Sequence, residues 1–123
     1  MSAGWLAVVV ALAGGVGSAL RHAVDTSVPV RWRERYPWGI LIINLTGSFA
    51  LGCVTGMMWD HPLAAIIGSG LLGGYTTFST ASLDTAQLLM ARRWGAALVN
   101  GVGMLVVAVA LAIAGVLCGA LLR

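Results

Sequence analysis

Asn44, followed at alternate positions by Thr46 and Ser48, interrupts an otherwise apolar stretch between Trp38 and Trp59. A carboxamide taken out of water costs free energy unless it finds partners. It has two uses there. It can bond a neighbouring helix, or it can aim amide hydrogens at an anion, replacing part of a lost hydration shell without adding negative charge. A second cluster reads Gly73-Gly74-Tyr75-Thr76-Thr77-Phe78-Ser79-Thr80. Thr76, Thr77, Ser79 and Thr80 offer hydroxyl donors. Phe78 either packs or presents its ring edge, the positive part of the aromatic quadrupole. A weak edge contact lets a small anion bind and still leave. Carbonyls freed beside the paired glycines could instead hold a hard cation such as sodium.

No nucleophile–base pair and no metal-ligand spacing accompanies these residues, which argues against an enzyme. Asp25, Glu34 and Asp60 fall in connections, and Asp84 lies toward the end of an apolar run. A proton relay needs an ionisable group at membrane depth, so proton-coupled transport is disfavoured. His22 and His61 read as interface histidines. Cys53 and Cys118, each inside an apolar run, read as small buried hydrophobes.

The elements that position these groups are set by composition. Of 123 residues, 59% are hydrophobic and 9% charged, whereas soluble domains carry about 25% charged residues. So few charges cannot coat a water-facing surface, and the expected solvent is lipid. The expected class is an all-α integral membrane protein with four transmembrane helices, over about 5–24, 38–59, 63–90 and 94–122, in a single domain. The N-terminus lacks a basic n-region, so the first run reads as a retained span. The third run would measure ~42 Å if straight, too long for a ~30 Å hydrocarbon core. Paired glycines followed by hydroxyls make poor continuous helix, so this helix is expected to be broken at residues 73–80. Non-helical backbone at membrane depth survives only where protein buries it or a wet cavity meets it.

At this point three pieces resemble the CrcB/Fluc fluoride channels, in that family's order and along nearly the whole chain. They are Gly14-Gly15-Val16-Gly17-Ser18-Ala19-Leu20-Arg21, the stretch Pro37-Trp38-Gly39 through Asn44-Leu45-Thr46-Gly47-Ser48-Phe49, and Gly73 to Thr80. The resemblance implies an antiparallel dimer of four-span subunits, two pores, and passive export of fluoride across the cell membrane. It implies that Asn44 is a pore amide and Phe78 a pore-lining ring, with Thr77, Ser79 and Thr80 beside them. Arg21 would sit near a pore vestibule. The carbonyls of Gly73 and Thr76 would ligate a structural sodium at the dimer centre. The chain departs from the family pattern at Ala81, where a second Phe is usual, and at Met104 and Ala108, where polar residues usually follow the fourth-helix Asn.

All seven basic residues are arginines. Spans joined in series put Arg31, Arg33, Arg35, Arg92 and Arg93 on one side, with Arg21 near it, and only Arg123 on the other. That bias sets one orientation, with both termini outside. An antiparallel dimer of identical chains would need balanced charges. The expected partner is therefore a related paralogue inserted the opposite way, rather than a second copy. Two alternatives are a small multidrug-resistance-type transporter, disfavoured because residues 5–24 hold no acid, and a non-conducting assembly subunit.

Overall fold

A computed structural model describes residues 2–123, and among them every regular element is helical. Helix α1 spans Ala3–Ser27, α2 Val30–Arg33 and α3 Trp38–Met57. Helix α4 covers 62–75, beginning with the turn Pro62–Ala64, continuing as π-helical turns over Ala65–Leu72 and ending in Gly73–Tyr75. Helix α5 is Ser79–Met90, and α6 runs Trp94–Leu122 with a π-helical turn at Val99–Gly103. Helices α1, α3 and α6 are each long and apolar enough to cross a membrane. The chain is a multi-pass membrane protein.

Local chemistry sets the helix ends. Ser2 caps α1 by accepting the Trp5 N–H. The helix continues past Val24 and takes in Asp25, which composition alone places in the connection. Pro29 stops it, because the residue before a proline is driven out of helical conformation; Val28 is extended, at φ −72° and ψ 132°. His61 Nδ1 accepts the Leu63 N–H at 3.1 Å and Pro62 occupies the first turn, so α4 starts there. The link from α5 to α6 closes tightly through Arg92, at φ 58°.

The α3–α6 contact is built on glycine. A Cβ on Gly52 would collide with the Ala112 carbonyl, and one on Gly56 with that of Val116. Reciprocally, a Cβ on Gly115 would strike the Phe49 carbonyl, and one on Gly119 that of Cys53. Two Gly-x-x-x-Gly pairs therefore face each other, backbone against backbone. In lipid, where expelling water contributes nothing, such close approach supplies the dispersion contacts that hold helices together. Cys53 is half-buried at this seam and Cys118 is exposed; both are free thiols. On the other side, Gly17 faces the Leu71 carbonyl and Gly74 faces that of Gly14, which draws α1 onto α4.

The two ends of the bundle differ in charge. One gathers Arg33, Glu34 and Tyr36 from the first connection with Asp84, Gln87 and Arg93 around a cavity of about 240 Å³. The other gathers Met57, Trp59, Asp60 and His61 with Arg123. Both arginine-bearing connections thus share one end. Tyr36 Oη is buried there without a hydrogen-bond partner, and burial raises its pKa above the ordinary tyrosine value. Burial favours the neutral phenol, so its contribution to stability is present below pH ~10 and is lost as pH rises through the folded-state value. Tyr36→Phe removes an unsatisfied hydroxyl. It is expected to leave stability at pH 7 unchanged or slightly raised and to blunt the alkaline loss. Denaturation midpoints taken across the alkaline range check both statements.

Candidate functional site

Helical backbone stops after Tyr75. The Thr76 N–H still closes the last turn on the Leu72 carbonyl at 2.9 Å, but Thr76 itself is extended, at φ −80° and ψ 158°. Helix α5 restarts at Ser79. Its first turn is capped by the Thr77 hydroxyl, which accepts the Thr80 N–H at 3.2 Å and lies 3.3 Å from Thr80 Oγ1. Gly47 makes room for this interruption, since a Cβ there would collide with the Thr76 methyl.

Asn44, on α3, is placed opposite Thr77. Its Oδ1 accepts the Thr77 N–H at 2.8 Å, and its Nδ2 donates to the Thr77 carbonyl, also at 2.8 Å. The carboxamide thus takes the place of the helical neighbours that Thr77 lacks. Backbone donor and acceptor together fix which end of the amide is oxygen. The remaining Nδ2 hydrogen is directed at Met104 Sδ, 3.3 Å away.

A second polar knot lies one turn along α5. Thr85 Oγ1 donates to the Ala81 carbonyl at 2.8 Å, and Asn100 Nδ2 donates to Thr85 Oγ1 at 2.9 Å and to the Ala81 carbonyl at 3.3 Å. Asn100 is 1% exposed and sits in the π-helical turn of α6. Its Oδ1 has no partner. Reversing the amide would set that oxygen against the Ala81 carbonyl, so the orientation stands despite the orphaned acceptor.

Asn44, Thr76, Thr77, Phe78, Ala81 and Ser82 meet Thr85, Asn100, Met104 and Ala108 around one cavity of about 290 Å³. Four of the residues singled out from sequence therefore converge: Asn44, Thr76, Thr77 and Phe78. Phe78 is 85% exposed and projects from the bundle. Thr80 stands behind Thr77 rather than on the cavity wall, and Ser79 is exposed outside it. Arg21 lies elsewhere. It donates to Ser18 Oγ, whose hydroxyl donates to the Gly74 carbonyl, both at 3.3 Å. Among the described residues no hydrogen bond reaches the carbonyls of Gly73 or Thr76. Ser82, Thr85 and Asn100 were not picked out as site residues by sequence reasoning. The signal for Asn100 was available, since it is the one amide in a span otherwise made of apolar residues and glycine.

Comparison with known proteins gives a consistent picture. A family model described as CrcB-like protein, Camphor Resistance (CrcB), matches residues 8–116. The "Fluoride-specific ion channel FluC 1" of Leifsonia xyli subsp. xyli is 44% identical over 116 residues, 91% of this chain and 85% of the relative. The "Fluoride-specific ion channel FluC 2" of Mycobacterium bovis is 41% identical over 115 residues, 94% of this chain and 86% of the relative. The "Fluoride-specific ion channel FluC" of Nitrobacter winogradskyi is 37% identical over 118 residues, 91% of this chain and 94% of the relative. With the match running from the first helix to the last, this chain belongs to the CrcB-like family.

Proposed function

We propose that the chain is a subunit of a fluoride-specific channel that lets fluoride leave the cytoplasm passively across the cell membrane. The observation that carries this is the cavity at the helix interruption, where Asn44 holds Thr77, in a chain whose relatives are named fluoride-specific ion channels. The cavity is lined by hydroxyls and amides together with the Phe78 ring and apolar side chains such as Met104 and Leu105, and none of its lining residues is charged. Such a lining suits movement down a gradient and carries no reaction.

In this reading α4 and α5 form one span, broken at 76–78. An interruption facing lipid would leave backbone groups unpaired, which hydrocarbon does not tolerate. The open face and the exposed Phe78 therefore call for a second subunit, packed antiparallel. The free carbonyls of Gly73 and Thr76 suit a hard cation, and a sodium ion held by both subunits would supply positive charge at the dimer centre. Arg21, anchored through Ser18 to Gly74, would add positive charge near one vestibule.

The partner we favour is a paralogue rather than a second copy. Both arginine-rich connections gather at one end of the bundle, which supports a single orientation. Ala81, Met104 and Ala108 all line the cavity and weaken the pore this chain would make with itself. Those same three residues are what favours the second reading, a non-conducting assembly subunit.

Fluoride efflux from liposomes separates these possibilities. The expected result is weak or no efflux from the chain alone and fast efflux with its paralogue. Fast efflux from the chain alone would overturn the pairing, and no efflux from either preparation of folded protein would overturn the channel.

A further inference from the structure

We propose that Met104 plugs the anion seat of this chain's own cavity by occupying the one amide hydrogen of Asn44 that could receive fluoride. The inference rests on the fluoride-channel reading and names the residue that decides whether this chain's half of the pore is open.

The argument is a count of donors. The Asn44 carboxamide has two N–H donors and one carbonyl acceptor. Thr77 takes one donor and the acceptor, both at 2.8 Å. This two-point grip stops the amide from turning, so only the second Nδ2 hydrogen remains. It points at Met104 Sδ, 3.3 Å away. A thioether is a weak acceptor and no donor at all. Met104 therefore subtracts a donor from the cavity and returns none, whereas a serine there would leave that hydrogen free and add a hydroxyl.

Position makes the subtraction hard to undo. Met104 is 5% exposed and follows directly on the π-helical turn Val99–Gly103, with Asn100 one turn before it and Ala108 one turn after, all on the same cavity. An incoming anion would have to displace a buried side chain, not merely outbid a weak bond. The bland alternative is that Met104 is only a gap-filling core methionine. Core filling predicts that its replacement alters stability without creating a fluoride response at Asn44.

The test is a sodium fluoride titration of the full-length chain in lipid nanodiscs, followed by NMR of the Asn44 side-chain amide. In Met104→Ser one of the two Nδ2 hydrogens is expected to shift saturably with fluoride. In the parent chain half-saturation should require roughly tenfold more fluoride, the worth of about one net hydrogen bond. Met104→Leu keeps the bulk and removes the sulfur. Its amide resonance should move without fluoride, while its half-saturation stays at the parent's higher fluoride level. Should Met104→Ser fold poorly, Met104→Ala serves in its place. An equal fluoride response in the parent chain, or none in folded Met104→Ser and Met104→Ala, overturns the plug. Failure of the channel reading shows separately, as absent fluoride efflux from liposomes holding the parent chain with its paralogue.

Discussion

Gly115→Leu is expected to abolish the folded bundle. Even a single methyl at this position meets the Phe49 carbonyl, and its Cβ would lie 2.9 Å from the Cys53 nitrogen and 3.0 Å from the Gly52 Cα. None of these atoms belongs to a flexible side chain, so relief requires α3 and α6 to move apart. Separation also removes the facing contacts at Gly52, Gly56 and Gly119, because all four glycines share one seam. Overpacking a tight core costs about 1–3 kcal/mol or more, and here the whole interface pays at once. Gly115→Ala should already lower stability measurably, and Gly115→Leu should give no monodisperse protein in detergent. Gly95, where a Cβ would meet nothing within 4 Å, is the matched control. A Gly115→Leu protein as stable as the Gly95→Leu protein would refute the seam.

Asn44→Asp is expected to do nearly as much harm, by electrostatics rather than bulk. One carboxylate oxygen can still accept the Thr77 N–H, but the other would face the Thr77 carbonyl, where Nδ2 now donates at 2.8 Å. In the ionised form two acceptors then meet with no hydrogen between them and a negative charge sits at membrane depth, so the harm is expected to grow as pH rises and the carboxyl loses its proton. Removing a partner and leaving a buried charge costs about 3–5 kcal/mol. Asn44→Ala loses both bonds to Thr77 without adding charge, at about 1–3 kcal/mol for each unpaired backbone group. Both variants should show faster amide hydrogen exchange at Thr77, lower resistance to denaturation and less fluoride efflux than the parent chain in the same preparation. If Asn44→Ala keeps the parent exchange rate at Thr77, the clasp is not what holds the interruption.

How much of this was legible beforehand depended on the range over which each signal acts. The apolar runs marked α1, α3 and α6, since lipid leaves no other use for some twenty consecutive apolar residues. Gly73-Gly74 and the hydroxyls after them pointed to the neighbourhood in which helical backbone stops, and Asn44 stood out as costly to bury. The resemblance put both beside one pore, but that the Asn44 amide bonds the Thr77 backbone at both ends was not legible. Asn44 and Thr77 are 33 residues apart, and the partner is backbone, which every residue has. The same limit hid the Ala81–Thr85–Asn100 knot. It also hid the tie from Arg21 through Ser18 to Gly74, because residues three apart on a helix show periodicity but not which distant neighbour they meet. The extension of α1 through Asp25 was readable from Pro29 but was outweighed by the charge. The π-helical turns have backbone angles close to α-helical ones, such as φ −62° and ψ −44° at Val99. No residue type advertises them.

The π-helical turn at Val99–Gly103 also acts as a phase setter. Asn100 and Met104 must point at the cavity beside Asn44, while Gly115 and Gly119 must point at α3. A π turn holds one residue more than regular winding would, and each residue turns the helix by about 100°. Losing one residue between Asn100 and Gly115 would rotate the polar face away from the glycine face by that angle. Substitutions within this stretch leave that phase intact. A change in its length dissociates the wall of the cavity from the seam that supports it, although every residue named above would still be present.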